Sequence, residues 1–329
     1  MSRPASAGTK LTVAGIMPLY NKLETVIEAI DSMMNQTRPL DEILVVDDGS
    51  TDGSGDLVAQ RYVGESRLRL LRQPNRGVSA ARNTAIRATR CDLVAFLDAD
   101  DRWLPKRIEM QAALMEQQPD CMLILSAAIY CNETLNITRV EGDRIDKRTY
   151  LYKTFFPERA LPACSGVMVR REALDEVGLF DESLWMGEDT DLWLRIMIRF
   201  GFEHIPEPLV WMRRGRPETL KGMERAFVGN DRYFAKHRYT FGRGPRGQAV
   251  WRAGYGSVLR GHAIWYFRHG LGRQAISKLM RAICTWPLFN PVWVVKYGLE
   301  FILGAQRYAG AVALVQRMTG RGRREQPSG

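Results

Sequence analysis

Two periods of apolar spacing alternate along the first two thirds of the chain. Short runs at residues 11–18, 42–46, 67–72, 92–97 and 121–126 are apolar enough to be strands, most of them buried on both faces. Between them apolar residues recur at helical spacing. Leu23, Val26, Ile27, Ile30, Met33 and Met34 predict a helix over 22–36. Further helices are expected over 55–61, 77–89 and 105–117, with Pro105 in the first turn of the last. Strands and helices taking turns at this pace predict an α/β fold, a doubly wound, mostly parallel sheet flanked by helices.

The pattern then loosens. Residues 132–162 are polar and then aromatic, with Tyr150, Tyr152, Phe155 and Phe156, and read as a variable segment. Residues 163–170 (ACSGVMVR) predict a strand whose small side chains admit a ligand. An acidic cluster, Gly187-Glu188-Asp189-Thr190-Asp191, opens an amphipathic helix running to Phe200, and 202–213 read as a strand pair around Pro206-Glu207-Pro208. Beyond Arg214 helices are expected over 223–237, 250–269 and 271–283. The chain therefore divides into an α/β domain, 1–214, and a helical C-terminal extension, 215–329. A run from Trp286 to Leu303, interrupted by Lys296 and Glu300, falls short of the roughly 18 uninterrupted apolar residues of a membrane span. It suits an interfacial helix and a packed helix equally.

Charge separates the same two parts. Residues 215–329 hold 20 Lys and Arg against 5 Asp and Glu, while residues 1–214 hold 27 against 32. A basic tail on an acidic body fits an anionic partner such as a membrane surface, or a solvated helical face. Five scattered cysteines without a CxxC pair point to reduced thiols and a cytoplasmic setting. The polar N-terminus lacks the apolar core of a signal peptide.

Candidate chemistry gathers at the carboxyl ends of the predicted strands, where doubly wound sheets bind ligands. Pro18-Leu19-Tyr20-Asn21, Asp47-Asp48 and Asp98-Ala99-Asp100 fall on that rim. If the strand ending at Leu97 stays extended, Asp98 and Asp100 face the same way and can hold Mg2+ or Mn2+ beside a phosphate. The other reading is an acidic turn capping the next helix; on the metal reading Asp101 is left as a cap for the helix that begins near Pro105. Likewise Asp47 and Asp48 could cap the next helix, Glu188 and Asp189 could be helix-terminal charges, and Arg82 could lie on an exposed helical face. No GxGxxG follows the first strand, which argues against a dinucleotide oxidoreductase, and no nucleic-acid-binding module is recognisable.

The motifs together resemble those of the family 2 glycosyltransferases, inverting enzymes of the GT-A fold, over residues 11–214. Pro18-Leu19-Tyr20-Asn21 is similar to the family's first loop, and residues 45–52 (VVDDGSTD) to its nucleotide-binding loop. Residues 75–83 (NRGVSAARN) resemble the motif that follows. Phe96-Leu97-Asp98-Ala99-Asp100-Asp101 resembles the DxD metal motif, and Gly187–Leu192 the acceptor-side acidic motif. The resemblance implies Tyr20, Asp47 and Asp48 at the donor nucleotide, Arg82 at its diphosphate, Asp98 and Asp100 on a divalent Mn2+ or Mg2+, and Asp189 as general base supported by Glu188. Pro18, Asn21 and Ala99 fall among the implied donor contacts.

Two departures qualify this. Gly215 stands where many family members carry a histidine after Arg213-Arg214, which leaves the position of a third metal ligand without its side chain. The Gln-x-x-Arg-Trp motif of processive synthases is absent, which favours transfer of a single sugar. The expected activity is transfer from a nucleotide-diphosphate sugar, UDP-linked by the Asp48 pattern, to a glycan or lipid-linked acceptor in bacterial polysaccharide or cell-envelope assembly, with the extension on the inner face of the cell membrane. The alternative is a noncatalytic nucleotide-sugar-binding subunit. No nucleic acid partner is expected.

Overall fold

The computed structural model describes residues 10–132, 136–142, 144, 164–213 and 219–286. Most of the variable segment after Asn132, Gly215, and the run after Trp286 lie outside these. The strands are β1 Val13–Leu19, β2 Glu42–Asp47, β3 Leu68–Arg72, β4 Leu93–Phe96, β5 Arg102–Trp103, β6 Cys121–Cys131, β7 Ile137–Val140, β8 Val167–Arg170 and β9 Gly201–Arg213. The helices are α1 Val26–Met34, α2 Ser54–Arg61, α3 Val78–Ala88, α4 Arg107–Gln117, α5 Arg171–Val177, α6 Glu188–Arg199, α7 Leu220–Lys236, α8 Pro245–Arg268 and α9 Gly272–Thr285.

One sheet runs β3-β2-β1-β4-β8-β6-β9-β5, with β7 on the side of β6. Strands β3, β2, β1 and β4 are mutually parallel. Strand β8 joins antiparallel to both β4 and β6, and β6 pairs parallel with β9. The winding from β1 goes outward to β2 and β3, then returns to put β4 on the other side of β1. That reversal opens a crevice beyond the ends of β1 and β4, where such sheets bind ligands.

Alternation along each strand divides the core between the two faces. Val13, Met17, Ile43, Val45, Leu93 and Ala95 pack with Val26, Ile30, Met33 and Ile108 on one side. Ala14, Ile16, Leu44, Val46, Val94 and Phe96 pack with Ala81, Ala85, Leu192 and Trp193 on the other. Phe96 anchors the second face, with Phe180 and Trp193 each 5.5 Å away between ring centroids. Burying such a ring stabilises by about 1.5–3 kcal/mol.

Two expectations are corrected. Residues 202–213 form one strand, not a strand pair. Its register on β6 jumps from Ser126↔Ile205 to Ala127↔Pro208, so the irregularity absorbs Pro206 and Glu207 without a turn. Prolines lack the ladder N–H and are tolerated at such a bulge. The strand at Asp98 does not stay extended either: β4 ends at Phe96, and the N–H of Asp101 donates to Asp98 O at 3.0 Å, which closes a turn.

The chain separates into a unit ending at Lys236 and a second beginning at His237. The first extends past the composition shift at Gly215 and includes α7. In the second, α8 and α9 pack on one another. Among the described residues no helix is long and apolar enough to cross a membrane.

Candidate active site

A cavity of about 660 Å³ opens at the crevice, lined by Pro18, Tyr20, Lys22, Asp48, Asn75, Gly77, Arg82, Asp98, Ala99, Asp100, Trp185, Glu188 and Arg225, among others. Pockets of a few hundred cubic ångströms suit small-molecule ligands. Of the residues expected at the donor, Pro18, Tyr20, Asp48, Arg82, Asp98 and Ala99 reach it, as do Asp100 and Glu188. Asn21, Asp47 and Asp189 do not line it.

Asp48 does not cap a helix. It is buried, and its carboxylate accepts from Gln73 Nε2 at 2.7 Å and from the main-chain N–H groups of Arg76 at 2.9 Å and Gly77 at 2.8 Å. Gly77 has φ +92°, which favours glycine at this bend. Asp48 thereby ties the loop before α3 to the end of β2. The helix-starting bond at α2 belongs to Asp52, which accepts from the N–H of Ser54 at 2.9 Å. Asp47 accepts from the N–H of Ser50 at 2.9 Å, and its carboxylate packs so tightly on Gly55 that a Cβ there would lie 1.9 Å from Oδ2. Asn21 takes φ +51°, and its Oδ1 accepts from the N–H of Thr51 at 2.8 Å. It joins the first two loops from behind the cavity.

Arg82 is 3% exposed, so it is not an outward-facing helix residue. It donates to Asp98 Oδ1 at 2.7 Å and to Glu188 Oε1 at 3.0 Å. A buried guanidinium needs such charge pairing, and its fork geometry serves two carboxylates at once. Lys22 forms an ion pair with Asp100 on the other side of the turn. Each carboxylate of the Asp98–Asp100 pair therefore faces a protein cation.

Asp101 is the clearest correction. It is buried and caps nothing: Ser165 Oγ donates to its Oδ2 at 2.6 Å, and the N–H of Arg213 to its Oδ1 at 3.0 Å. Burial first, then the neighbouring Asp98 and Asp100, push its carboxyl up to about 8. Glu188 is likewise raised, by burial and by Asp189, against the pull of Arg82. Asp189 accepts from the N–H of Thr190 at 2.6 Å in the first turn of α6.

The donor set suits a hard divalent cation. Asp98 and Asp100 are 32% and 29% exposed, both edge the cavity, and Mg2+ is commonly held by one or two carboxylates with substrate phosphates completing its shell. Among the described residues no third acidic, histidine or cysteine side chain joins them. Lys22, Trp185 and Arg225 also line the cavity and were not anticipated from sequence. Lys22 follows the first loop directly and was findable by the rim rule, whereas Trp185 and Arg225 arrive from loops and helices that only folding brings near.

Residues 16–178 match the family described as Glycosyl transferase family 2. An uncharacterized glycosyltransferase of Methanocaldococcus jannaschii is 31% identical over 208 residues, 62% of this chain and 71% of that protein. A putative teichuronic acid biosynthesis glycosyltransferase of Bacillus subtilis is 26% identical over 193 residues, 57% of this chain and 73% of the relative. Other relatives are much longer: the chain spans 40% of a Rickettsia felis glycosyltransferase, at 29% identity over 72% of its own length. The fold is similar to that of S. aureus TarS in complex with UDP-GlcNAc (TM-score 0.54, 15% identity, 82% of this chain and 91% of that one). It is also similar to the mannosyltransferase PcManGT of Pyrobaculum calidifontis in complex with GDP-Man and Mn2+ (TM-score 0.54, 20% identity, 95% and 89%).

Proposed function

Because the chain belongs to glycosyl transferase family 2, we propose that it moves one sugar from a nucleotide-diphosphate donor, UDP-linked, to the hydroxyl of a glycan or lipid-linked acceptor, with inversion at the anomeric centre. The observation that carries this is the meeting of Asp48, the Asp98–Asp100 pair and Glu188 around one cavity, with Arg82 bonded to both Asp98 and Glu188. The relatives' and neighbours' names support a nucleotide-sugar donor and a role in polysaccharide assembly.

The nucleoside lies against Tyr20 and the loop braced by Asp48. The diphosphate lies toward the Asp98–Asp100 turn, where Arg82 and Lys22 supply fixed and movable positive charge. Further positive charge against the departing diphosphate is what Mn2+ or Mg2+ supplies when held by Asp98 and Asp100. Asp189 does not line the donor cavity but follows the cavity-lining Glu188 at the start of α6; it is assigned the acceptor hydroxyl's proton, and the freed oxygen attacks the anomeric carbon from the face opposite the diphosphate. The bond to the diphosphate oxygen breaks as the new glycosidic bond forms, so no nucleophilic side chain is required. Glu188, gripped by Arg82, holds the acidic end of α6 against the donor site.

A thermal-shift panel of nucleotide sugars with and without Mn2+, followed by turnover of Asp100→Ala and Asp189→Ala, tests this reading. One donor should stabilise the parent more with metal than without, and both variants should lose transfer. Transfer at the parent rate by either variant would defeat the mechanism. Donor binding without turnover over a broad acceptor panel would favour the noncatalytic subunit instead.

A further inference from the structure

Three buried side chains converge on three consecutive carbonyls behind the cavity. Trp103 Nε1 donates to Ser165 O at 3.0 Å, Gln111 Nε2 to Gly166 O at 2.9 Å, and an Arg107 terminal nitrogen to Val167 O at 2.8 Å. Arg107 and Gln111 are four apart on α4, the spacing that puts two side chains on one face of a helix, and Trp103 joins them from β5. Arg107 has no exposed surface, lies over the Trp103 ring 4.1 Å from its centroid, and leaves two of its nitrogens without an acceptor among the described residues. Burying a guanidinium so incompletely paired is unfavourable for stability alone. The arrangement calls for a reason beyond packing.

That reason lies in the serine at the end of the braced segment. Ser165 has no exposed surface, so it touches no substrate. Its hydroxyl donates to Asp101 Oδ2 at 2.6 Å and accepts from the N–H of Asp98 at 3.1 Å. From the opposite side the N–H of Arg213 donates to the other oxygen of Asp101, and Arg213 Nη1 donates to Asp100 O at 2.9 Å. The Asp98–Asp101 turn is thus gripped on both flanks. One grip is built on Ser165, whose own carbonyl is held by Trp103 and whose next two residues are held by Gln111 and Arg107.

We propose that Ser165, braced by Trp103, Arg107 and Gln111, is a positioning residue that aims the Asp98 and Asp100 carboxylates at the donor diphosphate and its divalent ion. The inference rests on reading Asp98 and Asp100 as the donor-phosphate site. Catalytic groups must be held within a fraction of an ångström, and a buried serine bridging an amide and a carboxylate does this without entering the cavity.

The test uses the full chain with Ser165→Ala and the size-matched Ser165→Cys, and UDP as the probe. Calorimetry reads UDP affinity in EDTA and in Mn2+, and hydrogen exchange reads the Asp98 amide. Affinity in EDTA is expected to stay within about twofold of the parent, while the gain on adding Mn2+ falls about tenfold in Ser165→Ala and less in Ser165→Cys, as for loss of one strong hydrogen bond. The Asp98 amide exchanges at least about tenfold faster in Ser165→Ala. An undiminished Mn2+ gain overturns the proposal, as does an equal loss of affinity with and without metal, which marks a merely structural role. A parent that gains nothing from Mn2+ rejects the donor-site reading instead. The Asp98 amide then still decides whether Ser165 holds the turn, and unchanged exchange overturns that. Should Ser165→Ala fail to fold, Gln111→Met, which keeps length and removes the donor to Gly166, carries the same measurements.

Discussion

Arg82 and Glu188 stand 106 positions apart in the chain and meet at 3.0 Å beside the cavity. The contact joins α3 to the start of α6, and through Asp98 it also joins the turn after β4. Replacing Arg82 by methionine leaves two carboxylates without their shared cation. Loss of about 3 kcal/mol is expected, at the lower end for a broken buried pair because Asp98 is partly solvated. Denaturant unfolding measures it, and a loss below about 1 kcal/mol would show that the pairing is not what holds these elements together.

Lys22 pairs with Asp100, so a divalent ion held by Asp100 would compete with the ammonium for that carboxylate. Lys22→Met should bind Mn2+ about threefold more tightly, the scale of a partly exposed ion pair. Transfer should nevertheless slow, because a donor-facing positive charge is lost. Direct Mn2+ titration by spin resonance separates the two effects, and weaker metal binding would contradict the competition.

Gly55 lies in the first turn of α2, where alanine ordinarily stabilises a helix by up to about 1 kcal/mol. Here the added methyl would lie 1.9 Å from Asp47 Oδ2. Gly55→Ala is therefore expected to destabilise by about 1–3 kcal/mol, the scale of overpacking. A raised melting temperature would mean that Asp47 swings aside freely.

Asp181 should give the fold an acid-sensitive component. Burial would raise its carboxyl, but hydrogen bonds from Lys236 at 2.7 Å and from Ser183 outweigh this and bring it down to about 2. A carboxyl lowered in the folded state stabilises fully above its ordinary 3.8, and the contribution disappears as pH falls towards 2. Asp181→Asn should then be less stable than the parent near neutrality, with the gap closing between about pH 4 and about pH 2. A gap that does not change with pH would assign the loss to packing.

The basic extension is expected to hold the protein on anionic membranes. Deleting the residues after Ile283 should abolish sedimentation with phosphatidylserine vesicles at low salt, and added salt should weaken it in the parent. Sedimentation unchanged by the deletion would sink the idea.

Strands β1, β2 and β4 were legible in sequence because both of their faces are buried, whereas the edge strand β3 keeps Arg69 and Arg72 exposed. In β2 the run Ile43-Leu44-Val45-Val46 leaves no polar side, and Asp47-Asp48 marks where the apolar residues stop. Strand β5 was not legible: two residues pair only because Trp211 and Val210 lie beside them. Asp98 and Asp100 share the cavity through a turn rather than by facing one way along a strand. The burial of Asp101 is invisible to local sequence because its partners, Ser165 and Arg213, stand 64 and 112 positions away.

The sequence by itself determined the alternation of strands and helices, the rim on which polar loops collect, and the acidic and basic residue types available there. These depend on periodicity and on where apolar runs end, both local properties. Only the tertiary structure decided which charges and polar groups meet: Arg82 with Asp98 and Glu188, Lys22 with Asp100, Ser165 with Asp101. Such pairing acts over a few ångströms between residues far apart in the chain, so it is set by which loops and helices the strand order brings to one rim.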